Sequence, residues 1–263
     1  MIASKPSKPL IVLAPSGTLE DFDREYGPLL TAVHQAFPAH EVRWCYVSEA
    51  ILRRLPAETR SRMSMDVVLR ELMEEGFRRG VIQSLQIVRG SEFERLEKAA
   101  SALEGQWRIG GPLLDDDRDF TDCMELIQDV RSRHPDADTV VLVIHGTDHP
   151  AGKSYRELEE RVVHRFGDRV CIGSLSGYPG KAGVMEGLRR KKARRVHLIP
   201  FLFSMGRHVR YDILEGEGSW NHELQSMGYD VSVTSHGLSR HPAAIRAIVR
   251  HISKPLEALN RTI

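Results

Sequence analysis

The sequence contains few cysteines, and they lie far apart. Cys45, Cys123 and Cys171 form no CxxC pair, which argues against a zinc ribbon and against a disulfide framework. We therefore expect all three to be small, buried hydrophobic side chains.

Long hydrophobic runs are also absent. A membrane-spanning helix needs about 20 consecutive apolar residues, and no stretch of this chain approaches that length. The N-terminal apolar run, residues 9–14, ends at Pro15 and is too short for a signal peptide. We therefore expect a cytoplasmic protein with no membrane partner.

Neither sign of charge is in excess. The 37 Lys and Arg residues against 36 Asp and Glu give a net charge of +1, which argues against a large electrostatic surface for DNA or RNA. One basic run, RRKKARR (189–195), follows a helical pattern, and cations at a helix C-terminus interact favourably with the helix dipole. We therefore expect no nucleic-acid partner.

The sequence does contain a regular alternation of two hydrophobic patterns. Short continuous apolar runs are typical of buried strands, and apolar residues spaced by three and four are typical of amphipathic helices. The predicted strands are residues 9–14, 41–47, 80–88, 106–109, 139–144, 170–175, 194–203 and 230–235. The predicted helices are residues 22–37, 64–77, 91–104, 154–166, 181–192, 208–226 and from 242 onward. A capping box at Ser154 and Glu157 predicts where the helix 154–166 begins. Such alternation favours parallel sheets covered on both faces, so we predict a doubly wound α/β fold.

The two halves of the chain resemble each other, which indicates a duplication. The matching segments are residues 10–18 with 140–147 and, without gaps, residues 81–92 with 197–208. We predict two similar parallel-sheet lobes, residues 1–125 and 126–263, related by pseudo-twofold symmetry. The turn-rich, acidic segment 110–119 is typical of a domain boundary.

The duplication pairs polar residues that follow the first and third strands of each half. Ser16 is matched with His145, and Glu92 is matched with His208. Ligands of parallel sheets bind at the carboxyl ends of the strands, where the strand order reverses. We therefore expect His145 and His208 to face a cleft that Glu92 reaches from the other lobe.

The segment HGTDHP, residues 145–150, has two chemical interpretations. Neutral imidazoles with nearby carboxylates suit Co, Ni, Zn or Fe, so His145 and His208 are candidate metal ligands. A histidine just after a strand can equally be a hydrogen-bonded turn residue, and Asp148 and His149 can simply shape the next turn.

Other familiar motifs are incomplete or missing. The metallo-β-lactamase-like H-x-x-D-H pattern needs an earlier histidine where this chain has Val143, and the R-H-G of histidine phosphatases needs an arginine at Ile144. The sequence has no G-x-S-x-G elbow, P-loop or G-x-G-x-x-G.

Several segments resemble the anaerobic-type sirohydrochlorin cobaltochelatases, members of the class II chelatase superfamily that includes ferrochelatase. They are HGTDHP followed by Tyr155, GSLSGYPG (173–180), residues 196–224 and, in the N-terminal half, residues 36–55 and 81–96. The most specific pattern is G-x-H-x-x-x-D followed by G-x-x-S-W, at Gly206, His208, Asp212, Gly216, Ser219 and Trp220. The similarity covers about residues 9–252.

The resemblance implies insertion of Co(II) into sirohydrochlorin, a precorrin-2-type tetrapyrrole, in oxygen-independent cobalamin biosynthesis. It implies two α/β lobes with the tetrapyrrole between them, a divalent metal as substrate and no organic cofactor. His145 and His208 then bind the metal and accept pyrrole protons, and Glu92 is an acidic group near the cleft. Two alternatives stay open: a chelatase for Fe(II) or Ni(II), and a tetrapyrrole- or metal-binding protein without turnover.

Three positions depart from the family pattern. The family usually has glutamate, a third metal ligand, at Ser176, histidine at Gln86, and often an acidic residue at Arg207. Serine is a poor ligand, so the metal is held by fewer protein groups, or another metal is accepted, or activity is absent. Asp148 and Glu92 are candidate substitutes for the missing ligand.

The substrate carries carboxylates around its rim, which cationic side chains can pair with. The predicted substrate-binding residues are Ser16, Gln86, Arg89, Lys153, Arg207 and Arg210. For the four cationic side chains the alternative is an ordinary solvated surface. The sequence leaves the oligomeric state open, with a homo-oligomer as one option.

Overall fold

The computed structural model describes residues 9–19 and 21–261, except for the side chains of Arg207 and His208. The chain forms two compact units, one comprising Met1–Asp115 with Ile245–Ile263 and the other comprising Asp116–Ala244. The change of unit at Asp115 and Asp116 lies inside the acidic segment 110–119. Lobes with the boundaries 1–125 and 126–263 stay a prediction.

The first unit is built around a four-stranded parallel sheet with the strand order β2-β1-β3-β4. Its strands are β1 (Leu10–Ala14), β2 (Val42–Trp44), β3 (Arg79–Ser84) and β4 (Gln106–Gly110). Its helices are α1 (Phe22–Ala36), α2 (Glu49–Leu52), α3 (Ala57–Met63), α4 (Met65–Glu74) and α5 (Ser91–Ser101).

The second unit repeats this design with the order β6-β5-β7-β8, again all parallel. Its strands are β5 (Thr139–Ile144), β6 (Val170–Ser174), β7 (Arg195–Pro200) and β8 (Asp230–Val233). Its helices are α6 (Asp117–Arg133), α7 (Gly152–Phe166), α8 (Lys181–Arg190), α9 (Arg207–Arg210) and α10 (Trp220–Ser226). The last helix, α11 (Pro242–Asn260), begins at the end of this unit and from Ile245 belongs to the first.

The matching sheets confirm the predicted α/β class with two similar parallel sheets. Strands β3 and β7 occupy the same positions in the gap-free alignment, and α5 and α9 each begin one residue after the aligned glycines, Gly90 and Gly206. The two central strands, β1 and β5, are buried along their whole length because helices cover both faces of a parallel sheet. This burial explains their continuous apolar sequences.

The predicted capping box of α7 is wrong. The helix begins at Gly152, before Ser154. Its N-cap residue is Ala151, whose side chain has no acceptor, so the helix has no side-chain cap. Glu157 instead forms an ion pair with Arg161 one turn later. The start of the helix is set by the turn before it, in which the Ala151 amide donates to Nδ1 of His149 and the Gly152 amide donates to the His149 carbonyl.

Two other helical regions differ from the prediction. The predicted helix 208–226 consists of α9, a π-helical turn at Tyr211–Glu215 and α10, which Ser219 caps by accepting a hydrogen bond from the His222 amide. Helix α6, which no sequence pattern predicted, begins inside the acidic segment, where Asp116 and Asp119 form a reciprocal capping box. Helices α2 and α3 were also missed.

All three cysteines are free thiols. Cys45 and Cys123 are buried, whereas Cys171 is partly exposed, which corrects the expectation that all three are buried. Burial raises the pKa of Cys45 to about 12 and the pKa of Cys171 to about 11. Neither thiol is a reactive thiolate near neutral pH. None of the helices described here is long and apolar enough to cross a membrane.

Candidate functional site

His145 lies at the carboxyl edge of the second sheet, directly after the fully buried central strand β5. Its side chain is exposed, while the next residue, Gly146, is buried and has a φ of +81°. A Cβ atom at Gly146 would collide with the carbonyl oxygen of Ser176. The glycine therefore lets the chain turn sharply and leaves the imidazole at the surface.

The ring of His145 is oriented by the backbone of the next residue, Gly146. Nδ1 lies 3.2 Å from the Gly146 carbonyl oxygen, and because a carbonyl can only accept, this hydrogen bond requires the proton on Nδ1. In that tautomer Nε2 keeps its lone pair. His145 can therefore hold a divalent ion or accept a proton through Nε2.

The rest of HGTDHP builds the turn into α7. The Thr147 hydroxyl accepts a hydrogen bond from the His149 amide at 3.1 Å, and Nδ1 of His149 accepts one from the Ala151 amide at 3.1 Å. His149 therefore shapes the turn, which is one of the two interpretations that the sequence allowed. Asp148 is exposed in the same turn.

Ser176 lies in the loop after β6, a neighbour of β5 in the sheet. Its amide and its hydroxyl both donate to the carbonyl oxygen of His145, at 3.1 and 3.2 Å. The Ser174 amide and hydroxyl bind the Pro179 carbonyl at 2.9 and 3.1 Å, which closes the loop on itself. The structure therefore places Ser176 against the main chain of His145.

His208 follows β7, the neighbour of β5 on the other side, and is the second residue of α9. The predicted roles of the His208 and Arg207 side chains fall outside what the structure describes. The backbone places α9 in the segment that leaves the carboxyl end of β7. His145, Ser176 and His208 thus follow three adjacent parallel strands.

The other residues of the G-x-x-S-W pattern support this edge of the sheet. Trp220 is fully buried, and a Cβ atom on Gly173 of β6 would collide with its indole ring. Lys181 donates to the Gly218 carbonyl at 2.7 Å and pairs with Glu223 at 2.8 Å. These contacts hold the segment after α9 in place.

In the first unit the two residues matched with His145 and His208 contact each other. The Ser16 hydroxyl donates to Oε2 of Glu92 at 2.5 Å. Glu92 is the second residue of α5, where a carboxylate interacts favourably with the helix dipole. The duplicated scaffold therefore brings these two sequence positions into contact.

Two predicted substrate-binding residues of this unit are engaged locally. Gln86 is buried, donates to the Ala14 carbonyl at 3.0 Å and accepts a hydrogen bond from Ser84. Arg89 forms a bidentate pair with Asp115, at 2.6 and 3.0 Å, and this pairing raises the pKa of its guanidinium. Contact of either residue with substrate stays a prediction.

Two predicted substrate-binding cations of the second unit, Lys153 and Arg210, differ in their surroundings. Lys153 is exposed at the second position of α7. Arg210 lies 3.8 Å from the carboxylate of Glu215.

Among the described side chains, which exclude His208, no group of three or more His, Cys, Asp and Glu could hold a metal ion.

Two tyrosines of these segments belong to none of the predicted site residues. Tyr178 follows β6 and Tyr211 opens the π-helical turn, and their side chains are 67% and 59% exposed. An aromatic residue in a polar, glycine-rich loop was the available sequence signal.

Comparisons with known proteins agree with this architecture. The family described as cobalt chelatase (CbiK) matches residues 13–257. Sirohydrochlorin cobaltochelatase of Salmonella typhimurium is 27% identical over 229 residues, which is 83% of this chain and 84% of that protein. Sirohydrochlorin cobaltochelatase CbiKC of Nitratidesulfovibrio vulgaris is 28% identical over 236 residues, which is 87% of this chain and 83% of that protein.

Solved structures share the fold at low sequence identity. SirB from Bacillus subtilis with Fe3+ has a TM-score of 0.64 and 12% identity, and the match covers 96% of this chain and 97% of SirB. CbiX, described as the terminal enzyme of siroheme biosynthesis in denitrifying bacteria, has a TM-score of 0.58 and 18% identity over 94% and 99% of the two chains. Together with the family match, these findings confirm the resemblance predicted from the sequence motifs.

Proposed function

The chain belongs to the cobalt chelatase (CbiK) family, and on this premise we propose that it inserts Co(II) into sirohydrochlorin in oxygen-independent cobalamin biosynthesis. The observation that carries the proposal is the exposed imidazole of His145, whose Nδ1–H is held by the Gly146 carbonyl so that Nε2 is available. The metal is a substrate of this lyase reaction, and no organic cofactor is proposed.

The reaction needs a base and a metal-binding group at one place. Two pyrrole N–H protons leave the macrocycle as bonds between nitrogen and cobalt form, and the ion loses water. A neutral imidazole can accept a proton near neutral pH, and it can also coordinate Co(II). We assign both tasks to Nε2 of His145, with the proton transferred after the ion has moved to the macrocycle.

We assign His208 as the second metal-binding group and base. The support is the duplication. Ser16 aligns with His145 and Glu92 aligns with His208, and Ser16 and Glu92 are joined by a hydrogen bond. Glu92 is proposed as a further proton acceptor. Rim carboxylates of the tetrapyrrole are proposed to pair with Lys153, Arg89, Arg207 and Arg210, and Ser16 and Gln86 to line the substrate site.

The choice of metal depends on Ser176. Its hydroxyl proton is directed to the His145 carbonyl, and a neutral serine oxygen is a weak ligand for a divalent ion. We therefore propose weak Co(II) binding before insertion, with Fe(II) and Ni(II) as alternative substrates. The same observation favours a second candidate function, a tetrapyrrole- or metal-binding protein without turnover.

A cytoplasmic location and the absence of membrane and nucleic-acid partners belong to the proposal; the oligomeric state is left open.

The proposal is tested by anaerobic incubation of the purified protein with sirohydrochlorin and Co(II), followed by absorbance. We expect insertion faster than in a protein-free control, and we expect His145→Ala to lose it. His222→Ala is a matched control, because His222 is an exposed histidine on α10 of the same unit. Absence of insertion with Co(II), Fe(II) and Ni(II) would overturn the enzyme, and tetrapyrrole binding without insertion would support the second candidate.

A further inference from the structure

Two exposed tyrosines lie in the segments that follow strands at the carboxyl edge of the second sheet. Tyr178 and Tyr211 are the only exposed Phe, Tyr or Trp side chains among the described residues, at 67% and 59%. They follow β6 and β7, the two strands on either side of β5. Segments on both sides of the strand that carries His145 thus each present a tyrosine to solvent.

The ring of Tyr211 is supported by a glycine. A Cβ atom at Gly216 would lie 2.7 Å from Cε1 and 3.0 Å from Cδ1 of this ring, so only glycine allows the ring to pack there. The π-helical turn that brings them together is closed by the hydrogen bond from the Gly216 amide to the Tyr211 carbonyl, at 2.8 Å. Tyr211 also lies three residues after His208, one helical turn along the chain.

Tyr178 is supported by the loop that closes on β5. The Gly177 carbonyl accepts a hydrogen bond from the Ser174 hydroxyl at 3.2 Å, and the Ser176 amide binds the His145 carbonyl. Tyr178 also lines a small cavity of about 40 Å³ together with Thr147, which belongs to the His145 turn. The hydrogen bond from Ser176 to the His145 carbonyl therefore joins the loop that carries Tyr178 to the end of β5.

An exposed aromatic ring on a fixed segment forgoes burial that would stabilise the fold, and such rings are enriched where proteins bind their ligands. A tetrapyrrole is a large conjugated ring system with charges at its rim, so aromatic side chains can contact its faces while cations contact its edge. We propose that Tyr178 and Tyr211 stack on the macrocycle and hold it beside His145. This inference rests on the proposed function and adds two substrate-positioning residues.

The test compares leucine and phenylalanine variants at each position. Tyr→Leu keeps a hydrophobic side chain but removes the ring, whereas Tyr→Phe keeps the ring. Val163→Ala is the control, because Val163 is 57% exposed on α7 and follows no strand end. Binding of metal-free sirohydrochlorin is measured by anaerobic absorbance titration, and insertion of Co(II) is measured by steady-state kinetics.

We expect Tyr178→Leu and Tyr211→Leu each to raise the Kd for sirohydrochlorin about threefold to tenfold, the size of one aromatic stacking contact. The KM should rise with the Kd while kcat changes less. Tyr178→Phe, Tyr211→Phe and Val163→Ala should bind as the wild-type protein does. Thermal unfolding of each variant checks that the fold is retained.

Each other outcome counts against the inference. Leucine variants that bind sirohydrochlorin as tightly as the wild type would overturn it and leave the proposed function intact if wild-type insertion is observed. Equal weakening by leucine and phenylalanine would assign the effect to the hydroxyl group and overturn stacking. A wild-type protein that neither binds sirohydrochlorin nor inserts metal would overturn the proposed function together with this inference.

Discussion

The substitution Gly146→Ala should destabilise the second unit and lower the rate of insertion. Gly146 has a φ of +81°, and a Cβ atom there would collide with the Ser176 carbonyl oxygen. An L-residue in this backbone region costs about 1–2 kcal/mol. Displacing Ser176 also removes two hydrogen bonds to the His145 carbonyl, each worth a net of about 0.5–1.5 kcal/mol.

The expected destabilisation is the sum of these effects, about 2–5 kcal/mol. Urea denaturation measures it globally, and hydrogen exchange of the amides of residues 144–176 measures it locally even if the two units unfold separately. Insertion should fall as well, because the Gly146 carbonyl that orients the His145 ring moves with the turn.

Gly183→Ala is the matched control for this experiment. Gly183 is an exposed residue of α8, and an added Cβ atom would meet nothing within 4 Å. In a helix, glycine to alanine stabilises by about 0.5–1 kcal/mol. A Gly146→Ala protein as stable as the wild type, with unchanged exchange near Ser176, would refute the packing argument.

Three further substitutions test the site and the core of the second unit. His145→Ala should lower the insertion rate at least about 100-fold, the lower bound for loss of a general base, whereas His222→Ala should retain it. Ser176→Glu should tighten Co(II) binding measured by calorimetry, and Ser176→Gln, of equal length but uncharged, should not. His197 is fully buried, and burial together with nearby His134 lowers its pKa to about 4. Only the unfolded chain binds its proton between pH 6.5 and 4, so this histidine should cost up to about 3 kcal/mol of stability as the pH falls through that window. His197→Asn should flatten this dependence in urea denaturation at pH 7 and pH 4.5.

The contradicting results are distinct for each substitution. Wild-type insertion by His145→Ala would remove this histidine from the site. Unchanged Co(II) affinity in Ser176→Glu would show that this position does not face the metal. An equal loss of stability at low pH in His197→Asn and wild type would assign that loss to other groups.

The duplication gives the two halves different chemistry on one scaffold. Both sheets have the same strand order, yet the paired positions are Ser16 and Glu92 in the first unit and His145 and His208 in the second. Imidazole suits Co(II) and proton transfer near neutral pH, whereas a serine hydroxyl does not. The metal chemistry is therefore proposed for the second unit.

Much of the fold could be predicted from local patterns. Short hydrophobic segments bounded by turn residues predicted every strand, and strand β5 was predicted at its observed bounds, Thr139–Ile144. The gap-free alignment predicted that β3 and β7 are equivalent. The pattern is clearest in the central strands β1 and β5, because burial on both faces of a parallel sheet demands apolar side chains at each position. Helix α6 was missed because its acidic N-terminal turn also has the composition of a linker.

The environments of single side chains depended on residues distant in sequence. Gln86 binds a carbonyl 72 positions earlier in the chain, and Arg89 pairs with Asp115, 26 positions later. Hydrogen bonds of this kind have no local sequence signal, since strand order decides which loops become neighbours.

His145 shows most clearly which features the sequence determines and which the tertiary structure decides. The sequence alone determined that a buried strand ends at His145, because five apolar residues precede it and a glycine follows. Only the tertiary structure decided that Ser176, 31 positions later, donates to the His145 carbonyl. The physical reason is the pairing of β5 with β6, which brings the two loops together at the carboxyl edge of the sheet.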